Sequence, residues 1–125
     1  MMHHPDLYVA YSDGKGRGVF SGSQMEVGDV IEISPVIVLP PADKEKIHDT
    51  FLHDYYFLWG SDLNQIAIAL GYGSLYNHNK KPNATYVYNY DDRTITFSCI
   101  KTILAGAQIY IDYNEGNEKG VELWF

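Results

Sequence analysis

The sequence predicts a mostly β fold with one or two short helices, and three observations support this prediction. The chain has 11 tyrosines against 5 phenylalanines and 2 tryptophans, and tyrosine is typical of strands. Isoleucine, valine and threonine join it in short runs, and turn residues such as Ser, Asp and Gly close those runs. The length of 125 residues fits a single domain over residues 1–125, with residues 114–125 as a C-terminal flanking tail.

The first third of the chain contains several predicted strands. Residues 7–11 alternate in polarity and meet a Ser-Asp-Gly turn, which predicts a first strand. Residues 14–18 carry glycine at every other position and predict a flexible loop, after which residues 19–20 resume extended structure. Within residues 30–39 we expect two strands, one on each side of Pro35, because proline cannot donate to a strand ladder.

One helix is predicted near the middle of the chain. It begins near Asp43 and ends before Gly60, because apolar residues recur there at helical spacing with charged residues between them. The apolar positions are Ile47, Phe51, Leu52, Tyr55 and Leu58.

The remaining strands are predicted in the second half. Residues 66–70 form a short apolar run, and residues 85–90 and 94–101 predict a hairpin about an Asp-Asp-Arg turn. Residues 109–113 predict a last strand.

Composition and charge exclude several classes of protein. One cysteine excludes an internal disulfide framework and a Cys-rich zinc cluster. No apolar run approaches the roughly 20 residues that a membrane span needs, and no signal peptide is evident, so we expect a cytoplasmic or nuclear protein. The net charge of -7 favours a Lys/Arg-rich protein partner over direct contact with nucleic acid.

Hydrolytic and metal chemistry are both disfavoured by the arrangement of the candidate residues. A nucleophile would be Ser74 or Cys99 with His78, but Ser74 is not in a nucleophile elbow, and Cys99 falls on a predicted inward strand face. His48 and His53 are five residues apart, so they would not share one face of the predicted helix. The sequence therefore predicts no metal site.

Four segments, taken in order, resemble the SET domain of protein lysine methyltransferases. Residues 14–20, Gly-Lys-Gly-Arg-Gly-Val-Phe, resemble the opening motif of that family, and residues 26–32 resemble the turn and strand behind it. Residues 75–84, Leu-Tyr-Asn-His-Asn-Lys-Lys-Pro-Asn-Ala, resemble its Asn-His-Ser-x-x-Pro-Asn signature. Residues 103–113 resemble its closing segment, which ends in tyrosine. Residues 54–57 and 69–73 further resemble the minimal, SET-only type of viral histone lysine methyltransferase.

The resemblance implies a fold of several small sheets around a C-terminal pseudoknot, S-adenosyl-L-methionine as cofactor, and a histone or histone-like tail as substrate. It implies that Tyr113 is the catalytic residue. The residues it implies for cofactor binding are Lys15, Gly16, Arg17, Gly18, Asn77, His78, Tyr113 and Trp124. Those expected to line the substrate-lysine channel are Tyr55, Tyr72, Tyr110 and Ile111. A homodimer is a further expectation.

The sequence departs from the family pattern at a few positions. Asn79 and Lys80 stand where Ser and Cys are usual, Ala107 and Gln108 where two Glu are usual, and Asn114 where Gly is usual. Ile111 stands where many relatives have an aromatic residue, which suggests room for di- or trimethylation. Two alternatives stay open: a degenerate SET-like module that binds without turnover, and a small β-barrel interaction module.

Overall fold

The computed structural model describes residues 2–12 and 14–113. Within them the chain forms ten strands, one α-helix and two short 3₁₀ helices. The strands are β1 (Met2–His3), β2 (Leu7–Ser12), β3 (Gly16–Ser21), β4 (Val30–Leu39), β5 (Tyr56–Trp59), β6 (Gln65–Ala69), β7 (Asn77–His78), β8 (Ala84–Asn89), β9 (Thr94–Cys99) and β10 (Tyr110–Ile111). Helix α1 spans Pro41–His48, and the 3₁₀ helices span Phe51–Asp54 and Gly73–Leu75. The predicted fold class is confirmed.

The strands form one large sheet and two small ones. Six strands make the large sheet, in the order β5-β6-β4-β9-β8, with β1 also paired to β4. Strands β2 and β3 form an antiparallel pair, and β7 pairs with β10 in parallel. The hairpin predicted from residues 85–90 and 94–101 is present as β8 and β9.

The core is built from the inward faces of these strands. On β9, Ile95, Phe97 and Cys99 alternate inward and are at most 2% exposed, as period-two alternation requires. The Cys99 thiol donates to the Lys101 carbonyl oxygen at 2.7 Å, and burial raises the pKa of the thiol. The prediction that Cys99 faces the core is confirmed.

Strand β4 runs through Pro35 without a break, so the prediction of two separate strands is wrong. Up to Pro35 the strand pairs with β9, and from Val36 onward it pairs with β6. The proline lies where the strand changes partner, and there its missing N–H removes little from either ladder. The Pro35 carbonyl still accepts from the Leu70 N–H at 2.9 Å.

The predicted helix is correct only in its first half. Helix α1 ends at His48, and Thr50 closes it: its hydroxyl donates to the Ile47 carbonyl at 2.6 Å and accepts from the Leu52 N–H at 3.2 Å. No residue of α1 is buried. The segment after the 3₁₀ turn becomes β5 because its pairing with β6 buries Tyr56 and Trp59, and this tertiary gain outweighs helical spacing.

Two further expectations need correction. Residues 14–18 are not a flexible loop, because β3 already begins at Gly16 and pairs residue by residue with β2. Gly14 and Gly16 have φ of +73° and +70°, the left-handed region that glycine adopts readily, and they shape the turn of this hairpin. The last strand is shorter than residues 109–113, since only Tyr110 and Ile111 form β10.

Candidate active site

Two very short strands form the centre of the site. β7 and β10 pair in parallel, with Asn77 opposite Tyr110 and His78 opposite Ile111. The Asn79 N–H extends the pairing to the Ile111 carbonyl at 3.0 Å. A ladder of two residue pairs is too short to hold two segments in register without help, so the side chains around it decide the geometry.

Amide side chains provide that help. The Gln108 Oε1 accepts from Asn77 Nδ2 at 2.8 Å, and its Nε2 donates to the hydroxyls of Ser12 at 2.8 Å and Tyr110 at 2.9 Å. Asn83 Nδ2 donates to the Gln108 carbonyl at 2.9 Å, while its Oδ1 accepts from the Tyr110 N–H at 2.8 Å. An amide offers both a donor and an acceptor, so two amides tie β2, β7 and β10 together.

Gly18 lies against this amide cluster. A Cβ at this position would come within 2.7 Å of Asn77 Nδ2 and closer still to Gln108 Oε1. The family resemblance implied that Gly18 contacts the cofactor. At Gly18 it is the protein's own Asn77 and Gln108 that make the close approach, with Asn77 Nδ2 also donating to the Arg17 carbonyl at 3.2 Å.

Tyr113 follows β10 and is held at three points. Its hydroxyl donates to the Tyr76 carbonyl at 2.6 Å, its N–H donates to His78 Nδ1 at 3.0 Å, and its carbonyl accepts from the Tyr86 hydroxyl at 3.2 Å. Burial, and after it the negative charge of Asp54, raises the pKa of the Tyr113 hydroxyl. The phenol is therefore neutral at physiological pH and serves as a hydrogen-bonding group, not as a base.

His78 is neutral for a related reason. Its Nδ1 accepts the Tyr113 N–H, which requires a lone pair there and leaves the proton on Nε2. Burial lowers the pKa of His78, and the Asp112 carboxylate only partly opposes this. The approach of Asp112 Oδ1 to His78 Nδ1 at 3.7 Å is then a contact between a carboxylate and a neutral ring, not an ion pair.

A cleft of about 360 Å³ opens beside these residues. Its walls are formed by Gly14, Lys15, Arg17, Asp54, Tyr55, Ser74, Leu75, Asn77, His78 and Tyr113. Lys15 Nζ donates to the His78 carbonyl at 3.0 Å across one side of the cleft. The cleft thus has cationic side chains from the β2–β3 hairpin, aromatic and apolar walls, and the carboxylate of Asp54.

The structure brings together many of the residues predicted for the site. Six of them line the cleft: Lys15, Arg17, Tyr55, Asn77, His78 and Tyr113. Gly16 and Gly18 lie on the adjoining strand β3. Trp124, predicted to contact the cofactor, lies outside the described residues.

Three predicted channel residues do not line this cleft. The ring of Tyr72 packs edge-on against His3 at 5.3 Å, and the Tyr110 hydroxyl accepts from Gln108. Ile111 has no exposed surface and packs in the core. Their role in a lysine channel stays a prediction.

Some cleft residues were missed in the sequence. Gly14, Asp54, Ser74 and Leu75 all line the cleft, and none of them was predicted to bind cofactor or substrate, Ser74 having been considered only as a nucleophile. For Asp54 a signal existed, because it directly precedes Tyr55, which was proposed. Gln108 was noted only as a departure from the family pattern, and its bonding partners are not evident from the sequence.

His48 and His53 are closer than helical spacing suggested. Because the helix ends between them, their ring centroids are 6.0 Å apart, and His53 Nε2 lies 3.1 Å from Asp54 Oδ1. Nevertheless, among residues 2–12 and 14–113 no group of three His, Cys, Asp or Glu side chains could hold a metal ion. In the same part of the chain, no helix has the length and apolar character to cross a membrane.

Comparisons with known proteins agree with this geometry. The family model for the SET domain matches residues 16–114. The chain is 29% identical over 120 residues to a protein of Schizosaccharomyces pombe named histone-lysine N-methyltransferase, H3 lysine-37 specific, and the match covers 95% of this chain and 76% of that protein.

Solved structures give a similar result. A crystal structure of a Plasmodium falciparum protein provisionally described as a histone methyltransferase matches with a TM-score of 0.69 and 25% identity, covering 95% of this chain and 100% of that one. A chain of ctPRC2, in an apo, autoinhibited state, matches with a TM-score of 0.73 and 18% identity, covering 87% of this chain and 15% of that one. The likeness to ctPRC2 concerns the fold alone.

Proposed function

Because this chain belongs to the SET-domain family of protein lysine methyltransferases, we propose that it transfers a methyl group from S-adenosyl-L-methionine to a lysine of a histone tail. The observation that carries the proposal is the position of Tyr113. A neutral, half-buried tyrosine, whose hydroxyl is fixed by the Tyr76 carbonyl, lies in the wall of a cleft that also contains Lys15, Asn77 and His78.

The cleft suits the proposed cofactor in size and chemistry. A volume of about 360 Å³ falls in the range of small-molecule sites. The cationic side chains of Lys15 and Arg17 would attract the carboxylate of the methionine part, while Asn77 and His78 would contact the adenosine part. When bound, the cofactor supplies an electrophilic methyl group on a positively charged sulfur.

The contribution of the protein is mainly positioning. Methyl transfer needs the lysine nitrogen in line with the methyl group, and holding two reactants in that geometry removes a large entropic barrier. The attacking lysine must be unprotonated, although the pKa of a free lysine is about 10.4. An apolar, aromatic surround, to which Tyr55 would contribute, disfavours the ammonium form.

Tyr113 has a defined role in this scheme. Because its pKa is raised, the hydroxyl does not remove the lysine proton. Its oxygen instead provides a polar contact for the polarised C–H groups of the methyl, a weak interaction whose value depends on fixed geometry. The short bond from Tyr113 to the Tyr76 carbonyl supplies that geometry.

The charge of the chain supports a basic substrate. The net charge of -7 favours a Lys/Arg-rich tail over nucleic acid, and the similar S. pombe protein is named for a lysine of histone H3. We therefore propose a histone tail as substrate, with action in the nucleus. With Ile111 at the position where an aromatic residue is common, di- or trimethylation is the proposed product.

A transfer assay with matched variants tests the proposal. Recombinant histone H3 is incubated with radiolabelled S-adenosylmethionine and wild-type protein, Tyr113→Phe, or Tyr90→Phe as a control on the β8–β9 hairpin. Loss of a fixed polar contact to the reacting group predicts that Tyr113→Phe lowers turnover by about 100-fold or more, while cofactor affinity in calorimetry stays within about threefold. Tyr90→Phe should keep wild-type turnover.

Two results would contradict the proposal. If Tyr113→Phe keeps wild-type turnover, Tyr113 is not the catalytic residue. If the wild-type protein binds the cofactor but methylates neither histone nor any protein of a nuclear lysate, the alternative of a binding module without turnover is favoured.

A further inference from the structure

A buried carboxylate lies behind the cleft and is not part of its walls. Glu32, on β4, has no exposed surface. Its Oε1 accepts from the Tyr76 hydroxyl at 2.7 Å, and its Oε2 accepts from the Tyr72 N–H at 2.9 Å. Burying an ionisable group is costly unless hydrogen bonds compensate for the lost water, so a carboxylate at this depth calls for an explanation.

Its two donors lie on either side of one 3₁₀ turn, Gly73–Leu75. Tyr72 precedes the turn and Tyr76 follows it, so one carboxylate ties down both of its ends. The Ser74 hydroxyl also donates to the Ala69 carbonyl at 2.9 Å. A Cβ on Gly73 would lie 2.6 Å from Ala69 Cβ, so the turn is packed against β6 with no space between them.

This turn sets the position of the Tyr113 hydroxyl. The Tyr76 carbonyl oxygen accepts a hydrogen bond from the Tyr113 hydroxyl at 2.6 Å. The side-chain hydroxyl of Tyr76 donates to Glu32. The Tyr76 ring packs on Phe97 at 4.5 Å between centroids, which leaves the residue little freedom except at its backbone. The two residues that follow, Asn77 and His78, line the cleft.

We propose that Glu32 is a positioning residue: by holding Tyr72 and Tyr76, it fixes the carbonyl that orients the Tyr113 hydroxyl. The expected effect on turnover rests on the proposed function. The expected effect of Glu32 on the position of the Tyr113 hydroxyl does not depend on that function. Glu32 is not among the residues that line the cleft and acts through Tyr76.

The kinetic test uses Glu32→Gln, Tyr76→Phe and the double variant, with Glu45→Gln on the exposed face of α1 as a charge-matched control. Glutamine retains the size of the side chain but replaces one acceptor oxygen with a donor nitrogen. Each single variant is expected to lower kcat about tenfold per folded molecule, with KM for cofactor and histone within about twofold. The double variant should lower kcat by less than the product of the two single effects, because the two single variants share the contact between Glu32 and Tyr76.

Stability alone would give a different pattern. If Glu32 only stabilises the fold, the variants lose melting temperature but keep wild-type kcat per folded molecule, and the proposal is overturned. The same holds if the effects of the two single variants multiply to about 100-fold, because the two residues would then act independently.

A second measurement does not depend on turnover. In protein labelled with ¹³C at tyrosine Cζ, the Tyr113 resonance is assigned with Tyr113→Phe and compared between wild type and Glu32→Gln without ligand. A shift of that resonance, absent in Glu45→Gln, supports positioning even if the wild type shows no methyl transfer and the proposed function fails. An unmoved resonance together with unchanged kcat overturns the positioning role and leaves the proposed function standing.

Discussion

The large sheet and the β7–β10 pair hold their strands together in different ways. In the sheet, β8 and β9 alone share six residue pairs, and the buried face adds apolar packing. In the site, β7 and β10 share two residue pairs, and the side chains of Asn77, Asn83 and Gln108 supply the other bonds. In the sheet, many backbone hydrogen bonds hold the same two strands together, so the loss of one leaves the others in place. In the site, within the part of the chain that the structure describes, no second bond replaces an amide hydrogen bond that is lost.

This difference separates stability from function. Truncating a buried side chain of the sheet lowers the free energy of unfolding, but the backbone ladder keeps the strands in register. A single amide bond is worth only about 0.5–1.5 kcal/mol, yet in the site it decides where a cleft residue lies. Substitutions around β7 and β10 should therefore affect ligand binding more than their cost in stability suggests.

Among substitutions around β7 and β10, the largest effect on cofactor affinity is expected from Gly18→Ala. The new methyl group would overlap Gln108 Oε1 and Asn77 Nδ2, so their hydrogen bond must break, and crowding of this kind typically costs about 1–3 kcal/mol. If that cost falls on the cofactor-binding form, calorimetry should show S-adenosylmethionine affinity lowered by roughly 5- to 150-fold.

Gly106→Ala is the matched control. Gly106 has φ of +86° with nothing near its Cβ position, so alanine there introduces backbone strain of about 1–2 kcal/mol without touching the site. Equal losses of affinity in both variants would mean that the amide cluster has no special role.

An intermediate effect is expected from Gln108→Met. Methionine has a similar size but makes none of the bonds to Ser12, Asn77 and Tyr110. We expect cofactor affinity about tenfold lower in calorimetry, which corresponds to about 1.4 kcal/mol, or the net energy of one to two hydrogen bonds. Gln108→Glu should be milder, because the hydroxyls of Ser12 and Tyr110 can rotate to donate to a carboxylate.

The control for this prediction lies on the sheet. Gln65 is half-buried on β6, where its backbone pairs with Trp59 of β5. Gln65→Met should leave cofactor affinity unchanged, since the ladder holds this position. If Gln65→Met weakens binding as much as Gln108→Met, the contrast between sheet and site is wrong.

The smallest effect concerns pH. Burial lowers the pKa of His78 below its ordinary value of 6.5, so this residue contributes stability above pH 6.5 that is lost as pH falls through the lowered value. Protonation of Nδ1 would remove the acceptor for the Tyr113 N–H, while Asp112 favours the charged ring and Lys15 and Lys80 oppose it. We expect cofactor affinity to fall about threefold between pH 7 and pH 5.

His78→Gln provides the test, with His4→Gln as a control at the other end of the chain. Affinity in His78→Gln should vary less over this range than in the wild type, whereas His4→Gln should follow the wild type. Cofactor binding is measured instead of turnover, because turnover also reports the protonation of the substrate lysine. Parallel pH curves for wild type and His78→Gln would remove His78 as the cause.

Much of the fold could be predicted because local pattern and tertiary structure agree. The alternation along residues 94–99 and the turn before it identified the β8–β9 hairpin. The same alternation correctly predicted that Cys99 faces the core. Prediction failed where strand pairing outweighed the local sequence pattern. Residues 56–59 have helical spacing but pair with β6, and Pro35 lies where β4 changes partner. Neither partner is evident in a single sequence.

The site residues could be predicted from their resemblance to family motifs, but the contacts that position them could not. Resemblance identified Asn77, His78 and Tyr113, which the structure gathers around one cleft. Gln108 and Glu32 act through contacts with residues far away in sequence, and no spacing rule connects them to their partners.

The bond between Gln108 and Ser12 joins residues 96 positions apart. Closing so long a loop carries a high entropic cost before any contact compensates for it, and structures dominated by distant contacts fold slowly. The pairs of the sheet formed by β4 to β9 join residues that are closer in sequence, Val30 and Ser98 at most, so these strands can pair before the bond between Gln108 and Ser12 forms. We therefore expect ligand-binding competence to arise late, after most of the backbone structure has formed.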